Sequence, residues 1–408
     1  MTVIVLKSAL VLDVVSGELT PDQSVVIEGR RIVAVDRNTP IPSSARVIDL
    51  AGKVLMPGLC DAHVHVTAAT ADFAALEGWP QSYVAAHSSH ILRSMLLRGF
   101  TTVRDAGGAD HGLAQAVEER LIVGPRVLFC GKAISQTGGH ADMRLSGEGN
   151  ADPCACSAGL GRICDGVTEV RRACREFIRQ GAHHIKLMVS GGVISPTDRI
   201  SSTQLADDEL AAAAEEANAA EIYCMAHAYT PRAIRRAVLA GVRSIEHGNL
   251  LDETTAELMR EHGTFLVPTL VTYYALARQG DCTAFTATMR DKLREVQEAG
   301  LRALELAVRT DVPVVFGTDL LGPMHSRQLD EFRIRAEIQS PLELVRSATL
   351  HAARLFDMEN DIGVIRPGAF ADLIAVSGNP LRDPSVLQCP EKHLHLVVKE
   401  GEVVVSRL

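Results

Sequence analysis

The sequence lacks an excess of basic residues, a long apolar run and a low-complexity segment. Its 408 residues include 41 Lys and Arg against 50 Asp and Glu, which gives a formal net charge of −9. This balance excludes a mostly basic nucleic-acid-binding protein. No uninterrupted apolar run approaches the roughly 20 residues needed to cross a bilayer, so we expect no membrane association.

The cysteines also lack the even number of a disulfide framework. The sequence has nine of them, at Cys60, Cys130, Cys154, Cys156, Cys164, Cys174, Cys224, Cys282 and Cys389. Such a scattered set favours a reducing compartment. The apolar N-terminal stretch is preceded by no basic leader and followed by no clear cleavage site. We therefore predict a strand over residues 3–13 and a cytoplasmic location.

Short β-branched runs occupy both ends of the chain, and between them apolar runs alternate with amphipathic stretches. This alternation is typical of βα units and a parallel sheet. We predict eight strands in this middle region, at 54–65, 101–105, 126–131, 184–189, 221–227, 244–247, 265–270 and 313–319. Eight βα units predict an α/β fold that closes as a TIM-like (β/α)8 barrel.

Residues 138–166 are too many and too glycine-rich for a simple turn, so we predict a functional loop or lid there. Cys154 and Cys156 lie within this loop. Their one-residue spacing differs from that of common zinc knuckles, which disfavours a metal or redox role for the pair.

The ends of the predicted strands carry candidate metal ligands. His63 and His65 are two residues apart, so both imidazoles face one side of an extended chain. His227, His247 and Asp319 end three later strands. Taken singly, His227 and His247 are better explained as buried or helix-capping histidines, and the alternative for Asp319 is an ordinary helix cap. Because the active site of a barrel lies at the carboxyl ends of its strands, the combination predicts a metal site.

Lys186 interrupts an apolar run, so its ammonium must be buried or lose its charge. One interpretation is a lysine that reaches solvent or pairs with Asp319. The other is reaction with carbon dioxide, which would turn the amine into an anionic carbamate able to bridge two metal ions. His184, two residues earlier, is interpreted as a polar core residue.

These motifs resemble the amidohydrolase superfamily of metal-dependent hydrolases over essentially the whole chain. The matching segments are Pro57–His65, Lys186, His227, His247–Asn249, Phe316–Asp319 and Gly368–Leu373. Two further segments, Gly99–Gly108 and Ser135–Asp142, are similar to the prolidase-like branch. That branch includes Xaa-Pro dipeptidases, arginine and lysine carboxypeptidases, and ochratoxin-hydrolysing amidases.

The resemblance implies a domain organisation and a cofactor. Residues 1–57 and 360–408 would form a small composite β-sandwich domain, and residues 58–359 the barrel. The cofactor would be two divalent metal ions, expected to be zinc, bridged by a hydroxide and by N6-carboxylysine formed with CO2 at Lys186. The other implied ligands are His63, His65 and Asp319 for one ion, and His227 and His247 for the other.

The resemblance also implies roles in catalysis and substrate binding. Asp319 would move a proton, and His140 would bind the substrate and polarise its carbonyl. Tyr229 would contact the substrate's carboxylate. The alternatives are a surface position for His140 and simple packing for Tyr229. His325, just after the last strand, is a further candidate for substrate contact, whereas Glu246 is interpreted as structural.

The leading hypothesis is an amidohydrolase that cleaves dipeptides or N-acyl amino acids and releases the C-terminal amino acid. Xaa-Pro dipeptides, carboxypeptidase-type substrates and ochratoxin A fit this class. The alternatives are a cyclic-amide hydrolase or deaminase of the same superfamily, which Lys186 disfavours, or a non-catalytic scaffold. The expected partner is a small-molecule substrate, with neither nucleic acid nor membrane, and we expect a homo-oligomer.

Overall fold

The computed structural model describes residues 3–39, 42–148, 157–278 and 286–408. Cys154, Cys156 and Cys282 lie outside the described residues. The strands are β1 (Val3–Leu12), β2 (Leu19–Glu28), β3 (Arg31–Asp36), β4 (Arg46–Asp49), β5 (Val54–Pro57), β6 (Leu59–Val64), β7 (Phe100–Asp105), β8 (Arg126–Leu128), β9 (Ala133–Ser135), β10 (Gly161–Ile163), β11 (His184–Met188), β12 (Tyr223–Ala228), β13 (Ser244–His247), β14 (Phe265–Val267), β15 (Leu373–Val376), β16 (Leu394–Lys399) and β17 (Glu402–Ser406).

Helices follow most of the middle strands. They are α1 (Phe73–Glu77), α2 (Gln81–Leu97), α3 (His111–Glu118), α4 (Val167–Arg179), α5 (Asp207–Ala219), α6 (Pro231–Leu239), α7 (Glu253–Glu261), α8 (Leu270–Arg278), α9 (Ala287–Arg309), α10 (Asp330–Arg335), α11 (Pro341–Ser347), α12 (Leu350–Leu355) and α13 (Pro390–His393), with 3-10 helices at Gly322–Arg327 and Pro384–Leu387. Thr230 and Ser340 cap α6 and α11, because their side-chain oxygens accept hydrogen bonds from backbone amides of the first turn. Each cap is followed by a proline at the first helical position. Within the described parts of the chain, no helix combines the length and apolar character needed to cross a membrane.

Strands from both chain ends form one eight-stranded sheet. Its order is β17-β16-β15-β5-β1-β2-β3, with β4 paired to β1. The C-terminal β15 pairs antiparallel with the N-terminal β5, placing Ile374 opposite Met56. Buried side chains such as Leu6, Ile27 and Leu373 form a core of their own beneath this sheet. The two ends of the chain therefore fold together.

The middle strands pair in parallel, in a three-stranded sheet (β6-β7-β8) and a six-stranded sheet (β10-β9-β11-β12-β13-β14). Backbone hydrogen bonds connect the two sheets. The His183 amide donates to the Phe129 carbonyl at 2.8 Å, between β8 and β11. Val315 donates to Leu266, and Ala62 donates to Phe316, so the segment around Phe316 joins β14 to β6.

The structure departs from the predicted strands at three places. Residues 54–65 were predicted as one strand, but Gly58 divides them between two sheets. A Cβ at Gly58 would lie 2.2 Å from the Thr101 hydroxyl oxygen, so only glycine allows this close passage. In the predicted strand 313–319, only Val314 forms a bridge, with Leu266. In the predicted loop 138–166, β10 adds an edge strand beside β9.

Candidate metal centre

All six predicted metal ligands line one cavity of about 60 Å³. Lys186 and His227 belong to β11 and β12, and His247 is the last residue of β13. Because parallel strands place their carboxyl ends at one edge, residues far apart in sequence meet there. The lining residues are His63, His65, Phe73, Glu77, Ala133, His140, Ala141, Met143, Leu160, Gly161, Lys186, Met188, Ile194, His227, His247, Asp319 and Leu321.

His63, His65 and Asp319 form a compact group whose ligand atoms all lie within 4.8 Å of one another. The Nε2 atoms of His63 and His65 lie 3.4 Å and 3.2 Å from the Asp319 carboxylate. Two imidazoles and one carboxylate are a donor set that suits zinc and leaves a position open. These residues therefore fit a catalytic divalent metal ion.

A buried carboxylate fixes the orientation of His63. Glu246 Oε2 lies 2.7 Å from His63 Nδ1, and its other oxygen accepts a hydrogen bond from Arg104 at 2.9 Å. Both Glu246 and Arg104 are fully buried. Burial raises the pKa of Glu246, but the charges of Arg104 and His63 outweigh it and hold this pKa well below its usual value. The contact directs Nε2 of His63 toward Asp319, as a supporting contact to a metal ligand should.

The other histidines are oriented by one ring nitrogen and leave the second one available. His65 Nδ1 contacts the Gly107 carbonyl at 2.9 Å, and His247 Nδ1 contacts the Thr269 hydroxyl at 2.7 Å. His227 uses Nε2 instead, 3.1 Å from a backbone carbonyl. Burial lowers the pKa of His227 and His247 well below 6.5, so both rings are neutral and able to bind a metal at pH 7.

Lys186 is 1% exposed and lies in the same cavity. Among the described residues, no hydrogen bond or ion pair holds its amine. Burial lowers the pKa of Lys186, and the more distant charges of Glu246 and Asp319 only partly oppose this. A larger neutral fraction makes the amine a better nucleophile toward carbon dioxide.

Asp319 and His247 have backbone conformations that residues other than glycine rarely adopt. Their φ angles are +53° and +74°. Such conformations cost on the order of 1–3 kcal/mol each and cluster at active sites. Burial raises the pKa of Asp319, but His63 and His65 outweigh it, so this pKa is held well below its usual value. Asp319 is therefore a carboxylate at neutral pH.

His140 lies beside the ligands, with its ring stacked on His227 at 4.2 Å between centroids. Its Nδ1 lies 2.8 Å from the Ser195 hydroxyl, which lies 2.5 Å from a carboxylate oxygen of Asp198. Because Ser195 has one proton and Asp198 only accepts, this chain favours a proton on His140 Nδ1. Burial lowers the pKa of His140 to about 4, so the ring is neutral at pH 7.

The remaining predicted substrate contacts are less central. Tyr229 is 3% exposed, and its ring lies 4.8 Å from His227 and 5.4 Å from His247. The Tyr273 hydroxyl donates to the Tyr229 hydroxyl at 3.1 Å. His325 is buried with Nε2 at 3.1 Å from the Ala68 carbonyl, outside the cavity lining.

A second cavity, of about 800 Å³, contains none of the predicted ligands. All six predicted ligands line the smaller cavity, which is therefore the candidate site. Its free volume of about 60 Å³ is below the roughly 300 Å³ of typical ligand pockets.

Residues 54–404 match the amidohydrolase family. The chain belongs to this family. It is 33% identical over 410 residues to an ochratoxinase from Aspergillus niger, and the alignment covers 93% of this chain and 82% of the relative. Membership in this family and the similarity to this relative identify the present chain as a hydrolase that acts on amide bonds.

Solved structures support the prolidase-like branch of the family. One is a prolidase in complex with N-methylphosphonate-L-proline, with 48% sequence identity, a TM-score of 0.97, and coverage of 99% of this chain and 100% of that one. Another is a Xaa-Pro dipeptidase with bound methionine in the active site, with 29% identity, a TM-score of 0.89, and coverage of 99% and 100%.

Sequence reasoning did not identify several residues that support the amidohydrolase site. Glu246 was interpreted as structural, and the structure adds that it orients His63. A glutamate next to a ligand, in a strand with no other charge, was the available signal. The contact of His140 with Ser195, and the hydrogen bond from Ser195 to Asp198, had no such signal, because they depend on how the loop after β11 folds.

Proposed function

We propose that this amidohydrolase hydrolyses dipeptides or N-acyl amino acids and releases the C-terminal amino acid. The observation that carries the proposal is the convergence of five histidine and aspartate ligands with a buried lysine in one cavity. The similarity to a prolidase in complex with N-methylphosphonate-L-proline supports the substrate class. A cytoplasmic location and a homo-oligomeric assembly stay predictions.

His63, His65 and Asp319 would hold one divalent ion, and His227 and His247 the second. We propose zinc for both, with Lys186 as N6-carboxylysine formed with CO2 shared between them. A carbamate would supply the anion that neutral histidines lack. When bound, the two ions would acidify a water molecule and polarise the carbonyl of the substrate.

The chain's own residues would then manage protons and position the substrate. Asp319, a carboxylate at neutral pH, would accept a proton from the attacking water and pass it to the leaving amine. Tyr229 would contact the carboxylate of the leaving amino acid, with its hydroxyl held by Tyr273. Substrate contact by His325 stays a prediction, since its Nε2 is engaged by Ala68.

His140 would polarise the scissile carbonyl by donating a hydrogen bond. This role requires a proton on Nε2, whereas the contact with Ser195 favours a proton on Nδ1. The Ser195 hydroxyl would therefore have to turn from Asp198 to His140 when the substrate binds.

We also propose that the parallel strands form a closed (β/α)8 barrel at 58–359, with residues 1–57 and 360–408 as a composite β-sandwich domain. The hydrogen bonds from His183 to Phe129 and from Ala62 to Phe316 support closure. The division at Gly58 between two sheets supports the boundary.

The test is amino-acid release from a library of dipeptides and N-acyl amino acids, including ochratoxin A. The protein is reconstituted with zinc in bicarbonate, and metal stoichiometry is measured on the same sample. Release of a few C-terminal residues with about two metals per chain is expected. Two metals without release would redirect the search to cyclic amides, esters and deamination, and no bound metal would favour the scaffold alternative.

A further inference from the structure

The outer wall of the metal-site cavity is apolar except for one carboxylate. Its apolar members are Phe73, Met143, Leu160, Ile194 and Leu321. The exception is Glu77, the last residue of α1, which is half-buried. Among the described lining residues, Asp319 is the other acid, and it belongs to the ligand set. Glu77 is therefore the wall's charged group.

The Glu77 carboxylate is joined to no other side chain by a hydrogen bond or ion pair within the described parts of the chain. The two cations that oppose the rise of its pKa contact other groups: Lys132 donates to Ser157, and Arg144 pairs with Asp142. Burial raises the pKa of Glu77, as expected for a carboxylate that no cation contacts. This carboxylate is therefore available to a positively charged ligand.

A glycine makes room for this carboxylate. A Cβ at Gly159 would lie 2.8 Å from Glu77 Oε1. Next to Gly159, the Leu160 carbonyl lies against Gly107, whose own carbonyl holds His65. Glu77 is therefore connected to His65 through neighbouring contacts of Gly159, Leu160 and Gly107.

Tyr229 does not line this cavity but lies behind two residues that do. Its ring contacts those of His227 and His247, the ligands of the other proposed ion. A substrate whose carboxylate reaches Tyr229 and whose scissile carbonyl lies between the ligands would extend its acyl part toward Glu77.

We propose that Glu77 binds an alkylammonium group on the acyl part of the substrate, the α-ammonium of a free dipeptide. The proposal rests on the proposed function and narrows it, because a neutral N-acyl group would gain nothing from this carboxylate. A lysine side chain in the acyl residue offers the same chemistry, and the substrates below separate the two sources.

The test compares three substrates that share the best leaving residue from the library: Ala-Xaa, N-acetyl-Ala-Xaa and N-acetyl-Lys-Xaa. The zinc-loaded wild type should prefer Ala-Xaa over N-acetyl-Ala-Xaa by roughly 10- to 100-fold in kcat/KM, the range of a charged hydrogen bond. Glu77→Gln should lose this preference through KM and leave N-acetyl-Ala-Xaa unchanged. A preference for N-acetyl-Lys-Xaa that Glu77→Gln abolishes would assign the site to a side-chain ammonium.

Two further variants keep the result interpretable. Glu257→Gln, on the exposed face of α7, removes the same charge far from the cavity and should change none of the three rates. Glu77→Asp retains the charge and should keep part of the preference, even if Glu77→Gln folds poorly. If Glu77→Gln lowers kcat/KM equally for acetylated and free substrates, or does not lower it at all, the role of Glu77 is overturned while the proposed function stands. No release from any substrate would overturn the proposed function itself.

Discussion

Two regions of the molecule hold clusters of charged side chains, and they differ in how those charges are satisfied. One is the joint between the terminal sheet and the parallel strands, in which Arg126, Asp372 and Glu400 are largely buried and Arg30 and Glu118 lie at the exposed rim. In this joint Arg126 donates to Asp372 at 2.9 Å and also pairs with Glu400, and Arg30 links Glu400 to Glu118. Every charge of the joint has an opposite charge in contact.

The metal centre is built in the opposite way. Among the described residues, Lys186 has no hydrogen bond or ion pair, and the Asp319 carboxylate contacts the imidazole nitrogens of His63 and His65 rather than a lysine or arginine. Buried groups that remain unsatisfied are expensive, so they persist where a ligand or reaction uses them. The joint therefore satisfies its charges within the fold, whereas the proposed metal centre leaves the Lys186 amine available to the proposed ligands.

Lys186→Ala should have the largest effect, because it removes the anion proposed to be shared by the two metal ions. We expect turnover below detection and a lower metal content in protein that still folds. Activity and metal stoichiometry are measured on one preparation, with bicarbonate-depleted wild type as a control that should lose activity reversibly. An active Lys186→Ala protein with two metals would contradict the carbamate.

Asp319→Asn should rank second. The amide keeps the shape and much of the ligand set but cannot shuttle a proton, so we expect kcat to fall by roughly two to four decades. Metal analysis and circular dichroism on the same sample check that the fold and most of the metal survive. A near-normal kcat would rule out the proton-transfer role.

Glu246→Gln tests the contact that orients His63. Losing the charge should weaken zinc binding roughly 10- to 100-fold, as for other groups that support metal ligands. Competition with a chelator measures the zinc affinity, and the Glu257→Gln protein provides the baseline. An unchanged zinc affinity would show that Glu246, like the charged residues of the joint, contributes only to the stability of the fold.

Glu400→Gln should have the smallest effect on activity and act on stability instead. Burial raises the pKa of Glu400, but Arg126 and Arg30 outweigh it and lower this pKa from 4.5 to about 2. The carboxylate therefore stabilises the fold above pH 4.5, by on the order of 2–3 kcal/mol at pH 7. That contribution is lost as the pH falls from 4.5 toward 2.

Urea unfolding of both proteins across this pH range measures the difference. The free energies of unfolding should differ at pH 7 and converge near pH 2, while turnover per folded molecule stays equal. A difference that persists at pH 2 would show that Glu400 acts through packing rather than charge.

The sequence predicted which polar residues meet in the metal-site cavity, because strand ends are local features. The predicted strand 244–247 matches β13 residue for residue, and a polar residue after an apolar run is visible without a structure. The residues that surround and orient the predicted ligands were not predictable in this way. Arg104 reaches Glu246 from 142 residues away, and Glu77 reaches the cavity only because β10 and Gly159 place it there.

The strand order of the terminal sheet has a consequence for synthesis of the protein. Of the strands β15, β16 and β17, β15 pairs directly with β5, and β5 ends six residues before His63. The β5 edge therefore has no β15 partner until the chain has been synthesised through all the parallel strands. The terminal sheet, which flanks the segment carrying His63 and His65, can be completed only after those strands have been made.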